Sequence, residues 1–493
     1  MKQPYIYIKK GSFILSVLIF SILFLISCQD SKMQDSHSIR LNQLGFFPSE
    51  EKIGIVISDD FGGKEFLVRE EATGEIIYRG TLSEIRHSDF SNKKTSVSTF
   101  TEVSQPGKYR IEVPGLGRSH AFEIKDNLLS DLADASLRAF YYQRASMPID
   151  EKYAGKWARP SGHPDDQVMV HSSAVSPERP EGTIISSPKG WYDAGDYNKY
   201  IVNSGFTIGV LLSLYEDYPV YMRQRSIHIP ESSNKTPDLL DEIYWNVAWM
   251  LTMQDPADGG VYHKLTTPEF EGFIKPVDCK KQRYVVAKSV TAALDFAASM
   301  AQVFRVYKDY SEDYPGLSEV ALSAAKRAYE WALKHPEQLY QQKKMNETHS
   351  PAIQTGEYGD RSADDEFFWA ASELFITTGE NIYLQTAIEY ASENYTVPVW
   401  GNVYGLGTFS LVRYQDQLNG KGKELADKLQ QQLLVYADSA VMNADQSPYA
   451  APYGRVAQDF FWGCNSDAAS NQGMTFLYAY RLTGKRFSYS GFA

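Results

Sequence analysis

The sequence is short of cysteine, with three in 493 residues. It contains no C-x-x-C pair, which excludes a disulfide-stapled scaffold and a structural zinc module. Dense clusters of lysine and arginine are absent too: 61 acidic residues face 49 basic ones, a net charge of −12. Nucleic-acid binders carry a basic footprint, so nucleic acid is not expected as a partner. No tryptophan precedes Trp157, which argues against a sugar-binding role for the N-terminal part. What is present is ample apolar material. Hydrophobic residues make up 43% and aromatics 13%, enough for two domains with one of them large.

Lys9 and Lys10 precede an apolar run from Phe13 to Ile26, too short and too N-terminal for an ordinary membrane span. The run ends Leu25-Ile26-Ser27-Cys28, which resembles a bacterial lipobox with Cys28 as the lipidated residue. The expectation is an exported chain held as an outer-membrane or cell-surface lipoprotein. Plain secretion or an uncleaved anchor is the alternative. Each buried methylene of an acyl chain adds roughly 0.8 kcal/mol to the tether. Residues 1–28 are thus an address. Residues 29–38 are polar and read as a flexible tether. Cys279 and Cys464 could pair, which sequence alone leaves open.

Residues 39–125 read as strands, over 39–44, 53–58, 65–70, 75–79, 96–102, 108–113 and 119–124. Tyr109, Ile111 and Val113 alternate with Arg110 and Glu112, the pattern of a strand buried on one face. Gly62-Gly63, Pro106-Gly107 and Pro114-Gly115 punctuate the runs. Seven short strands fit an immunoglobulin-like β-sandwich, for which a structural role is expected.

From Asn127 the apolar period becomes helical. Leu129, Leu132, Ala133, Leu137, Phe140 and Tyr141 form one stripe, and Val286, Val290, Ala293, Leu294, Ala297, Ala301 and Phe304 another. Further helices are expected over 199–217, 236–253, 316–334, 362–378, 380–394, 403–418, 420–442 and 466–483. About ten helices with few strands between them point to an all-α toroid over residues 126–493. The whole is a multidomain chain.

The stretch that carries chemistry is Gly190-Trp191-Tyr192-Asp193-Ala194-Gly195-Asp196-Tyr197-Asn198-Lys199-Tyr200. Asp193 and Asp196 stand three residues apart across the two smallest side chains. A tight turn there would let both carboxylates hold one water by its protons and leave a lone pair free to attack, the task of a general base. Trp191, Tyr192, Tyr197 and Tyr200 add flat faces on which a sugar ring could stack. A calcium loop or a solvated turn is the plain alternative for an isolated D-x-G-D. The segment 160–189 before it is long for a loop inside a compact domain, and such loops are usually functional.

This run resembles the signature of glycoside hydrolase family 9, the inverting β-1,4-glucanases. The resemblance implies that Asp196 is the catalytic base and that Asp193 helps to hold the water. It also implies an (α/α)6 barrel behind an N-terminal sandwich. Tyr262-His263-Lys264-Leu265-Thr266-Thr267, with Gly272-Phe273, resembles a loop lining the family's cleft, which makes His263 a substrate-binding candidate. Thr355-Gly356-Glu357-Tyr358-Gly359-Asp360 followed by Asp365 and Glu366 resembles a segment that supplies calcium ligands in many members. Helix-start acids favoured by the dipole are the alternative. Calcium would be structural, and the chemistry itself needs no cofactor. Phe461-Trp462-Gly463 resembles a stretch at the barrel mouth. Trp462 and Trp400 are therefore sugar-platform candidates. Some members hold zinc through Cys and His before the base. The segment here offers His163, Asp165, Asp166 and His171 but no Cys, so no zinc site is carried over.

The resemblance implies a general acid from a C-terminal Asn-Glu run and an upstream His/Arg motif. Neither occurs: the last twenty residues hold no glutamate. An (α/α)6 toroid incomplete at its C-terminal end is therefore expected. The primary expectation is hydrolysis of internal β-1,4-glucosidic bonds, by a monomer. The alternative is a truncated, non-catalytic β-glucan-binding surface lipoprotein. An (α/α) polysaccharide lyase fits less well, since lyases use Tyr, His or Arg bases. Cellulose, mixed-linkage glucan and xyloglucan stay open as substrates.

Overall fold

The computed structural model describes residues 35–454, 456–460 and 464–484. Cys28 and Trp462 lie outside them, as do residues 29–34 of the expected tether. The described chain divides into two compact units, one running through Leu128 with Ser447–Ala450 added, the other comprising Leu129–Gln446 and the residues from Ala451 on.

The first unit consists of two antiparallel sheets. One orders β1 (Ile39–Leu41), β2 (Ile53–Ile57), β6 (Lys93–Thr99) and β5 (Arg86–Ser88) as β1-β2-β6-β5. The other orders β4 (Ile76–Thr81), β3 (Glu65–Glu70), β7 (Gly107–Val113) and β8 (Gly117–Arg118) as β4-β3-β7-β8, with β9 (Phe122–Ile124) also on β7. Phe66, Val68, Phe100, Ile111, Val113 and Phe122 form the core with little or no exposure. The alternation along β7 is kept, except that Glu112 is buried as well, where Arg69 neutralises it.

Two boundaries differ from expectation. Asp35, inside the tether expected over 29–38, already pairs with Arg118 at 2.8 Å and with Arg110 at 3.2 Å. The strand expected over 39–44 stops at Leu41, where the Asn42 side chain accepts the Leu44 N–H at 2.9 Å and turns the chain.

In the second unit ten described helices have nine residues or more. They are α1 (Ser130–Gln143), α2 (Ile201–Asp217), α3 (Asp238–Thr252), α4 (Val290–Tyr307), α5 (Leu317–Lys334), α6 (Asp364–Thr378), α7 (Asn381–Glu389), α8 (Tyr404–Arg413), α9 (Gly420–Gln446) and α10 (Cys464–Thr483). Helices α2, α4, α6 and α8 pack on one another, and α5, α7 and α9 pack against α4, α6 and α8 from outside. The sequence explains the two layers. Along α4 sixteen of eighteen positions are buried, many of them alanine, so neighbours approach on every side. On α5 buried Ala321, Ala324, Ala325, Ala328, Trp331 and Ala332 form one stripe and charged residues the other face. Trp249 and Trp369 have no solvent exposure.

The helix expected from residue 286 starts at Val290 instead. Ser289 caps it by accepting the Ala292 N–H at 3.2 Å. Val286 packs in a separate small cluster with Tyr340, Met345 and Ile353. Between the helices lies a five-stranded sheet of very short strands. Its order is β11 (Ile184–Ile185), β10 (Val168–Val170), β14 (Tyr284–Val285), β13 (Lys264–Thr266), β12 (Lys199–Tyr200). None of it was anticipated, because pieces of two or three residues carry no periodicity. This sheet leads the chain into and out of the aspartate stretch.

Candidate active site

The stretch around Asp193 is held at both ends. At its start Gly190 N–H donates to Trp245 O at 3.1 Å and Tyr192 N–H to Gln143 O at 2.9 Å. Trp191 N–H donates to Asn246 Oδ1 at 3.1 Å, and its indole Nε1 to Glu242 Oε1 at 2.8 Å. Gly190 has φ +82°, and a Cβ there would stand 2.8 Å from the Trp249 ring, so no other residue fits without movement. Behind Trp191, the fully buried Arg144 is neutralised by Glu242 and Glu231, each at 2.9 Å. At the far end β12 pairs with β13 and runs into α2. Between the two anchors Asp193 N–H donates to Asn198 O at 3.1 Å, closing a six-residue loop around Ala194 and Gly195.

Within this loop the two carboxylates have different settings. Asp193 accepts from Asn203 Nδ2 on Oδ1 at 2.6 Å and from Tyr358 OH on Oδ2 at 2.7 Å. Burial raises its pKa, the two hydrogen bonds oppose that rise, and the charge of Asp196 adds to it. Asp196 accepts on Oδ2 alone, from Asn198 Nδ2 at 2.8 Å and Tyr200 OH at 3.0 Å. Its other oxygen is left to a ligand. The space in front is open: Ala194 and Gly195 are exposed, and a Cβ on Gly195 would meet no atom within 4 Å. A fixed carboxylate with one free oxygen beside a second one can orient and deprotonate a water.

Tyr358 comes from 165 residues away, and buried polar residues put it there. His263 Nε2 donates to Glu357 O at 2.9 Å while Nδ1 accepts from Ser289 Oγ at 2.8 Å. Burial lowers its pKa to about 3, so the imidazole is neutral, as that donor–acceptor pair requires. Lys264 Nζ donates to Gly356 O and Gln342 Oε1, both at 2.6 Å. Replacing Tyr358 with Phe removes one hydrogen bond that holds Asp193 ionised. The acidic limb of the pH–rate profile should then move to higher pH, which a profile of kcat/KM for both proteins would register. An unmoved limb contradicts a role for this bond in setting the charge on Asp193.

Several residues expected to contact substrate sit elsewhere. Trp191 is 6% and Tyr192 4% exposed, and Trp191 packs on Phe140. His263 has no exposure and stacks on Tyr340 at 4.0 Å. None of the three has an open face for a sugar ring; they are scaffold. Their polar atoms explain why: each is already bonded to a buried neighbour. Tyr197 is partly exposed, and its OH donates to Ile274 O. Trp400 is 37% exposed and meets Tyr358 edge-on at 5.1 Å. It is the platform candidate connected to Asp193.

Asn198, Tyr200, Asn203 and Tyr358 hold the carboxylates; in the sequence Tyr200 stands out only as a sugar-stacking face and Tyr358 only within the segment likened to calcium-binding ones, while Asn198 and Asn203 carry no signal of their own. Asn198 and Tyr200 lie inside the eleven-residue run itself. Nothing local marks Tyr358 as a partner of Asp193. Asp365 and Glu366, the expected calcium ligands, lie in the first turn of α6. Asp365 Oδ2 accepts the Val403 N–H at 2.7 Å. Burial pushes the Asp365 carboxyl up to about 6 and raises Glu366 well above the usual range. Asp295, fully buried on α4, is raised by burial and then by the charges of Asp365 and Asp360. Both its carboxylate oxygens, Glu366 Oε2 and Asn402 Oδ1 are buried without a hydrogen-bond partner. They are hard oxygen donors of the kind calcium takes, but the three carboxylates do not converge to within 4.8 Å of one another, so a shared ion would require them to move.

The profile of glycosyl hydrolase family 9 matches residues 130–493, and that of a cellulase N-terminal Ig-like domain matches residues 34–118. The chain belongs to glycosyl hydrolase family 9. Among its family-9 relatives, the xyloglucan-specific endo-β-1,4-glucanase BoGH9A of Bacteroides ovatus is 54% identical over 472 residues. That match covers 95% of this chain and 80% of the relative. Endoglucanase D of Acetivibrio thermocellus is 31% identical over 433 residues, 87% of this chain and 65% of its own length. A solved family-9 structure from Bacteroides ovatus superposes with a TM-score of 0.88 at 55% identity, covering 92% of this chain and 82% of that one. As a family-9 member the protein is a glycoside hydrolase with an Ig-like N-terminal domain.

Proposed function

We propose that the site cuts internal β-1,4 bonds of a xyloglucan-type β-glucan with inversion, Asp196 taking the proton of a water that Asp193 helps to hold. The observation that carries this is the asymmetry of the pair. Asp193 is bonded on both oxygens, whereas Asp196 is fixed through one and free at the other. Inversion needs a second carboxyl on the opposite side of the bond, roughly 6.5–9.5 Å from the base. A glycoside whose leaving group departs without protonation reads the contribution of the base by itself. A 2,4-dinitrophenyl β-glycoside of a xyloglucan oligosaccharide should release dinitrophenolate with a higher kcat/KM than its unbranched counterpart. The 54% identity to a xyloglucan-specific enzyme supports that preference. Equal or reversed values would sink the xyloglucan reading. Binding of the glycan with no release would favour a β-glucan-binding protein instead.

Calcium at the start of α6 belongs to the same reading. Asp295, Asp365 and Glu366 would be its carboxylate ligands, with Asn402 as a further oxygen donor. The ion would offset buried like charges and hold the α6 end of the site. Calcium at a hundred times its Kd should stabilise the EGTA-treated protein by about 2.7 kcal/mol. That gain should vanish in Asp295→Asn. Thermal melts with and without calcium check it, and an equal gain in the variant would exclude Asp295 as a ligand.

A further inference from the structure

The supports of both aspartates converge on one buried cation. Lys264, on β13, pairs across the sheet with Tyr200 on β12, the residue whose OH donates to Asp196 at 3.0 Å. Its Nζ lies 5.6 Å from the centre of the Tyr200 ring and 5.3 Å from that of Tyr340. The same nitrogen donates to Gly356 O at 2.6 Å. A Cβ on Gly356 would stand 2.8 Å from the Tyr358 ring and 3.3 Å from Tyr200 OH, and those two rings meet edge-on at 4.7 Å. Tyr358 in turn donates to Asp193 at 2.7 Å. One side chain with no solvent exposure thus braces the donors of both carboxylates.

The cage around Nζ accepts in all three directions. Gly356 O can only accept. Gln342 Oε1 is fixed as an acceptor because its Nε2 donates to Thr355 O at 2.8 Å; it lies 2.6 Å from Nζ. Thr266 Oγ1 donates to Thr267 O at 2.8 Å. Thr355 Oγ1 therefore gives its own proton to Thr266 Oγ1 at 2.6 Å and accepts from Lys264 at 3.2 Å. Three acceptors need three N–H donors, which an ammonium has and a neutral amine lacks. Yet among the described residues no carboxylate stands within 4 Å of Nζ, whereas Lys199 and Lys288 are each buried against an aspartate. Burial without an ion pair disfavours the charge. It brings Lys264 down to about 7, against the pull of the Glu357 and Asp196 charges. The other titratable groups facing Nζ keep one charge state through this range: burial lowers His263 to about 3 and raises Tyr200 and Tyr340.

We propose that Lys264 is a positioning residue for both aspartates and that the site works only while its ammonium keeps all three protons. When one proton leaves to solvent, a nitrogen lone pair faces one of the three oxygens. The segment that carries Tyr358 then loosens from Asp193, and Tyr200 shifts against Asp196. Activity falls on the alkaline side although neither carboxylate has changed its charge. This role rests on Asp196 being the base and names the group on which that base depends.

The dinitrophenyl glycoside suits the test, because its leaving group needs no proton and a general acid adds no alkaline limb. With the full chain, kcat/KM should fall above a midpoint near pH 7. The fall should lie in kcat, with KM within about twofold, since Lys264 touches no sugar. Lys264→Met, which keeps the length of the side chain without the charge, should lose roughly 10- to 100-fold in kcat below that midpoint and show no alkaline limb. A second measurement needs no activity. In protein labelled with 13Cε-lysine, one NMR signal should titrate near pH 7 and be missing from Lys264→Met, distinct from that of Lys199, which burial lowers to about 8. Absence of such a signal from the unaltered protein overturns the proposal without reference to any variant. An alkaline limb unmoved in Lys264→Met, with kcat lost in Asp196→Asn, overturns this role alone. Full kcat in Asp196→Asn overturns the base on which it rests.

Discussion

Replacing Asp196 with Asn should lower kcat on the dinitrophenyl glycoside by roughly 10²–10⁴-fold while leaving KM within about twofold. That range is what a positioned general base contributes. The prediction follows from where the hydrogen bonds fall. Asn198 and Tyr200 hold one oxygen of Asp196, and an amide keeps that geometry but cannot take a proton. Binding of the sugar, which does not use the base, stays intact. Azide, a nucleophile that needs no deprotonation, should restore product formation in Asp196→Ala, as a glycosyl azide of inverted configuration. A variant that kept most of its kcat, or a loss expressed wholly in KM, would remove Asp196 from the chemistry.

The second large effect concerns stability. Arg144→Met should destabilise the protein by roughly 3–5 kcal/mol, the cost of leaving a buried charge without its partner. Glu242 is 1% exposed and is held by Arg144 and by the Trp191 indole. Burial by itself raises the Glu242 pKa, so without the guanidinium the carboxylate is neutral or strained. The double variant Arg144→Met, Glu242→Gln should recover part of the loss, since the only carboxylate then left without the guanidinium is Glu231, whose side chain is 30% exposed to water. Urea unfolding of the three proteins, followed by tryptophan fluorescence, measures both steps. A single-variant loss under 1 kcal/mol would mean that water reaches the pair. Because Trp191 leads directly into Asp193, the single variant should also lose activity at temperatures where it is still folded.

What could be read from the residues and what could not follow one physical line. Strong periodicity gave β7 and the ten long helices nearly in place, because one buried face imposes a repeat. Strand β5, the polar edge segment Arg-His-Ser, has no such repeat and pairs only with β6. The aspartate pair was legible since its chemistry lies within four residues. Its supports were not: Tyr358 reaches Asp193 through a segment fastened by His263 and Lys264, and a contact across 165 residues leaves no local trace. Aromaticity misled for the same reason. Trp191 and Tyr192 look like sugar platforms in the sequence, yet Glu242 and His163 engage their polar atoms in the interior. Cys279, whose pairing with Cys464 the sequence leaves open, sits against His163 and Glu271.

The stereochemistry of the first product tests the central claim most directly. Proton NMR during cleavage of the dinitrophenyl β-glycoside distinguishes the two anomers before mutarotation mixes them. A water activated by Asp196 must attack the face opposite the leaving group, so the α-hemiacetal should accumulate first. Initial appearance of the β-anomer, or no hemiacetal at all, would contradict the account.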